Sequence, residues 1–85
     1  MRHVSSAGLD ELDSLLVDLR RVDDLEEKGP GVFYRGSRAF LHFHEDSNGL
    51  YADVRLDGAE FERMRVSTKA ERKRLLSRVR AAMRR

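Results

Sequence analysis

The chain has 85 residues, enough for one domain built around one small core. It contains no cysteine, which excludes a disulfide scaffold or a thiolate metal site. It has no run approaching the ~20 apolar residues of a membrane span, and its start lacks the apolar centre of a secretion signal, so a cytoplasmic protein with no membrane contact is expected.

The net charge of +2 hides a gradient. Residues 1–28 carry four basic and eight acidic side chains, whereas residues 58–85 carry ten basic and three acidic ones. Such asymmetry marks some nucleic-acid contacts. It also arises when an acidic N-terminal helix lies beside a basic C-terminal one. The 14 arginines against three lysines, with no isoleucine or glutamine, reflect a GC-rich genome of bacterial type. Arginine abundance alone is therefore no argument for phosphate recognition.

Residues 1–8 show no periodicity and are expected to be flexible. Leu9, Leu12, Leu15, Leu16 and Leu19 then recur at helical spacing. Asp10, Glu11 and Asp13 sit where the positive end of a helix dipole favours carboxylates. The pattern predicts a helix over 8–21, fraying at most to Leu25, and Gly29-Pro30-Gly31 ends it. Val32 to Arg35 form a short strand candidate, and Gly36-Ser37 a turn. Residues 39–45 and 50–56 are the clearest strands, joined at Asn48-Gly49, a strong hairpin signal. Residues 61–66 fit a fourth strand with Met64 and Val66 inward, or else a short helical turn. Thr68 and Glu71 have capping-box spacing ahead of a stripe of Leu75, Leu76, Val79, Ala82 and Met83, which predicts a second helix over 69–83. The expected fold is a single α+β domain over 1–85. It has an antiparallel sheet of three to four strands with both helices on one face, in the order α-β-β-β-β-α.

Alternation assigns the faces. Leu41, Phe43, Leu50, Ala52, Val54 and Leu56 point toward the helices. Phe40, His42, His44, Tyr51, Asp53 and Arg55 point to the open face, where they form the candidate binding surface. An Asn48-Gly49 turn sets His44 opposite Asp53 and His42 opposite Arg55.

Three kinds of function fit these residues. His42, His44 and Asp53 offer two imidazoles and a carboxylate, the donor set of zinc and non-haem iron sites. Glu45 points to the other face and makes a poor fourth ligand. The plainer account is a cross-strand His–Asp contact worth ~0.2–1 kcal/mol. Lys69, Lys73, Arg74, Arg78, Arg80, Arg84 and Arg85 surround the polar side of the last helix, where several phosphates can be met at once. Arg72 falls on the apolar stripe, where its stem packs and its head snorkels. Phe40 and Tyr51, with Tyr34 or Phe33, form an apolar patch of the kind that marks a partner surface. No enzyme and no cofactor is expected: no serine has a nucleophile-elbow context, and the glycines match no phosphate-binding loop.

Within residues 31–66, the stretch VFYRGSRAFLHFHEDSNGLYADVRL resembles the strand-turn-strand core of small uncharacterised proteins of the MmcQ/YjbR type. That resemblance implies an α+β fold and a DNA-binding label. The His-x-His and acidic residue of LHFHED are similar to the short core of a luciferase-family domain of unknown function. Neither resemblance reaches into the two helices, and neither carries a functional residue over. The sequence thus favours a non-catalytic module, monomeric or homodimeric, that binds a protein partner through the open face. Nucleic-acid binding by the last helix and metal binding by His42, His44 and Asp53 are the alternatives.

Overall fold

The leucine periodicity builds two short helices, not one, in the computed structural model, which describes residues 2–84. α1 (Ser6–Glu11) starts earlier than the leucines suggest because Ser5 caps it, accepting from the Gly8 N–H at 3.2 Å. Leu12 leaves helical geometry at φ −87° and ψ 2°, and α2 (Asp13–Arg20) follows. The break costs no burial: Leu12, Leu15, Leu16 and Leu19 are all in the core. Asp24 then takes a left-handed backbone at φ 68°. Its short polar side chain tolerates that region, and the reversal turns Leu25 into a strand instead of a last helical turn.

Among the described residues the sheet has six antiparallel strands. β1 is Arg2–His3, β2 Leu25–Gly29, β3 Val32–Arg35, β4 Arg38–Asp46, β5 Gly49–Val54 and β6 Glu62–Arg65. The order across the sheet is β2-β3-β4-β5-β6, with β1 pairing the far end of β4. The α+β class holds, but the expected three to four strands become six and the two helices three. The extra strands leave little trace in sequence. β2 reads Leu-Glu-Glu-Lys-Gly, without apolar alternation, and β1 has two residues. Residues 2–5, without a predicted element, are tied to β4. His3 pairs with His44, Val4 is buried, and Glu45 accepts from the Ser5 N–H and from Arg2.

Two features of β4 depart from the expected hairpin. The reversal falls at Ser47-Asn48, so Asp46 pairs with Gly49 and the register lies two residues from that of an Asn48-Gly49 turn. Asp46 Oδ1 accepts the Asn48 N–H at 2.8 Å, which fixes the turn locally. Gly49, at φ 134°, has no room for a β-carbon because the Ser67 hydroxyl, bonded to the Leu50 N–H, occupies the space. A two-residue shift leaves every side chain on its predicted face, since the side-chain period is two. The second departure is a bulge. Phe33 pairs with Leu41 but Tyr34 with Ala39, leaving Phe40 as an extra residue in β4. The bulge turns Phe40 inward beside Leu41, and both are buried. Its assignment to the open face is thereby corrected.

α3 (Lys69–Met83) has the predicted limits. Thr68 Oγ1 accepts the Glu71 N–H at 3.1 Å, and Glu71 Oε1 accepts the Thr68 N–H at 3.0 Å, completing the capping box. Arg72, on the apolar side, donates to the carbonyls of Val66 and Ser67 at 2.8 and 3.0 Å, so its head secures the strand–helix turn. Leu75, Leu76, Val79 and Ala82 join the leucines of α2 and the inward row Leu41, Phe43, Ala52 and Val54 in one core. The helices thus cover one sheet face, and the side chains alternating with that row lie on the other. No helix among the described residues is long and apolar enough to cross a membrane.

Candidate functional site

The open face of β4 and β5 brings His42, His44 and Asp53 together. The two-residue register shift sets His42, not His44, directly across from Asp53, and His44 across from Tyr51. His44 still meets the carboxylate on the diagonal, with Nε2 3.1 Å from Asp53 Oδ2. The two imidazoles touch edge to face, ring centroids 4.6 Å apart. One donor atom from each of the three residues lies within 4.8 Å of the others.

Three neighbours complete the cluster, and none was singled out in the sequence. β6 sets Arg63 opposite Asp53, and its guanidinium forks onto the carboxylate with Nε–Oδ1 at 2.8 Å and Nη2–Oδ2 at 3.0 Å. β1 brings His3 beside His44, ring centroids 6.4 Å apart. Phe61 packs its ring 5.0 Å from that of His42 and stays 39% exposed. The inward spacing of Met64 and Val66 already puts Arg63 on the open face, so β6 carried a usable signal. His3 carried none, because a two-residue strand has no periodicity to read.

The electrostatics separate the members. Burial, followed by repulsion from His44, pushes the His42 imidazole below its ordinary pKa, with Asp53 partly opposing. His42 is therefore neutral at neutral pH, the form that donates a lone pair to a metal. Hydrogen bonding from Arg63 holds the Asp53 carboxyl below its usual range, against the opposing effect of burial. Asp53 is the one buried charged residue among the described residues, and its fork with Arg63 and contact with His44 explain how it is tolerated there.

The remaining predicted site residues scatter. Phe40 belongs to the core. Arg55 does not face His42. Its guanidinium donates to the Ala39 and Ala59 carbonyls at 3.1 and 3.2 Å and lies 4.3 Å from the Phe61 ring, so it touches the cluster only through that ring. Tyr51 stands between His44 and Arg65 in the ladder. On α3, Arg78 pairs with Glu62 at 2.9 Å, while Lys69, Lys73, Arg74, Arg80 and Arg84 are exposed. Arg85 lies outside the described residues. Asp18 of α2 shares a surface cleft with Lys73, Arg80 and Arg84, and Asp23 and Asp24 line a neighbouring one with the same two arginines. The acidic N-terminal region therefore does lie beside the basic helix. No protein-family model, curated protein or solved structure matches this chain.

Proposed function

We propose that this is a non-catalytic binding protein whose open sheet face holds a divalent transition-metal ion, of the zinc or iron class, on His42, His44 and Asp53. The observation that carries the reading is the convergence of three donor atoms within 4.8 Å. Ligands about 2.0–2.2 Å from a tetrahedral ion sit roughly 3.3 Å apart. The His44–Asp53 separation of 3.1 Å is already close to that spacing, and the remaining donor atoms have to close from at most 4.8 Å. The neutral state of His42 supports it as well.

A protein partner is less well supported than the sequence suggested. Its apolar anchor was to be Phe40 with Tyr51, and Phe40 is buried. Phe61 is left as the exposed large hydrophobic residue on the described surface. The chain has no thiol, so cysteine-based covalent chemistry has no nucleophile here.

Calorimetry with zinc and nickel at neutral pH tests the proposal on the wild type and on the His42→Ala/His44→Ala double variant. Micromolar or tighter binding that disappears in the double variant is the expected result. Absence of binding, or affinity unchanged by the double substitution, overturns it. A parallel titration with duplex DNA, followed by backbone NMR shifts, reports on the basic helix. Shifts centred on Lys73, Arg80 and Arg84 would move the functional surface to α3.

A further inference from the structure

Arg63 stands in an unusual relation to the three donor residues. A carboxylate that serves a metal is commonly held by a neighbouring hydrogen-bond donor, whose loss costs about 10–100-fold in affinity. Here the donor is a permanent cation, and it engages both oxygens of Asp53, at 2.8 and 3.0 Å. The third contact to that carboxylate comes from His44, at 3.1 Å. The lone pairs that an incoming ion needs are therefore largely occupied before it arrives.

We propose that Arg63 is a built-in competitor for the metal ion, so that it sets the affinity of the site by holding Asp53 in the ion's absence. The inference rests on the metal reading of His42, His44 and Asp53. Charge supports it. Asp53 is the one carboxylate among the three donor residues, and the Arg63 guanidinium forked onto it cancels its charge. Were the guanidinium to stay on the carboxylate, about 5–6 Å from a bound dication, even the dielectric of water would leave a repulsion equivalent to roughly tenfold in affinity, so the ion displaces it. Exposure supports it too. The Arg63 side chain is 51% exposed while that of Asp53 is 13% exposed. Arg63 can swing into solvent when displaced, whereas Asp53 stays in place. A partly exposed ion pair is a weak restraint, so the competition is one that an ion wins at modest concentration.

The inference and a positioning role for Arg63 predict opposite signs. Zinc affinity is measured by calorimetry for the wild type, Arg63→Gln and Arg63→Lys, each checked for folding by its melting curve. Competition predicts that Arg63→Gln binds zinc about tenfold more tightly or better, because the amide keeps a donor but removes the charge. Arg63→Lys keeps the charge and should stay near the wild type. In the wild-type NMR spectrum, zinc should also shift the Arg63 Nε–H signal toward that of a solvated guanidinium. Equal or weaker binding by Arg63→Gln overturns the inference while leaving the metal site standing. If neither the wild type nor Arg63→Gln binds zinc, the metal site itself falls and the inference with it.

Discussion

The two faces of the β4–β5 hairpin are built from alternate residues of the same strands, and they do opposite work. On the helix side, Leu41, Phe43, Ala52 and Val54 are fully buried and packed into one apolar cluster. On the other side, His42, His44 and Tyr51 remain partly accessible, Asp53 is buried beside them, and their contacts are polar or ring-to-ring. The helix side is held by area removed from water, which is large and indifferent to pH. The open side is held by charge and hydrogen bonds, each individually small and open to exchange for a ligand. Stability and binding are therefore separable in this hairpin one residue at a time.

The largest expected effects lie on the helix side. Phe43→Ala should destabilise the fold by about 3–5 kcal/mol in urea denaturation, as buried aromatic truncations do. That is a large share of the ~5–15 kcal/mol that holds a small domain folded. Phe40→Ala sharpens the comparison. With its ring turned inward by the bulge, it should cost about 3 kcal/mol, whereas a residue on an open surface would change stability by only ~0.5 kcal/mol. A near-neutral Phe40→Ala would return that residue to the open face. Next comes Asp53→Asn, which keeps the shape but releases Arg63 and His44 from a carboxylate. A cost of about 1 kcal/mol is expected, because the pair is partly solvated. A loss as large as that of Phe43→Ala would erase the distinction between the faces.

The smallest effect is the dependence on pH. In the metal-free protein His42 has a lowered pKa, so the unfolded chain takes up its proton first as pH falls. The stabilising contribution is complete above the ordinary imidazole value of 6.5 and declines as pH drops below it. His42→Asn should flatten the stability profile in that window. The Asp53 contribution has the same sign but a separate, more acidic window. It is complete above the ordinary carboxyl value of 3.8 and is lost as pH falls through the lowered native value. A profile through the mildly acidic range that is identical in wild type and His42→Asn would show that burial does not tune this imidazole.

The parts of the molecule that were legible in sequence are those specified locally. The capping box at Thr68 and Glu71 and the apolar stripe after it give α3 its limits directly. Alternation places His42, His44 and Asp53 on one face, even though the reversal falls one residue before the Asn48-Gly49 signal and the register shifts by two. The parts that were not legible depend on pairings between distant segments. Nothing near Phe40 announces a bulge, which exists because β3 pairs with both sides of it. Nothing near residue 3 announces that His3 will stand beside His44, since β1 forms only once β4 is in place to receive it. Arg63 was visible as a strand residue. Its partner was not, because the match to Asp53 requires the β5–β6 register.

The bulge at Phe40 also bears on how this chain can change in length over evolution. Losing one residue from a regular strand turns every later side chain to the wrong side, and such deletions are eliminated. β4 already contains a spare residue, so deleting position 40 would join Tyr34–Ala39 and Phe33–Leu41 into an uninterrupted ladder and leave His42, Phe43 and His44 facing as they do now. The loss would be one aromatic ring from the interior, a cost that compensating changes elsewhere in the core can absorb. Deleting a residue between positions 42 and 45 has no such escape. Natural length variation in this hairpin should therefore collect at its bulged end and be absent beside the histidines.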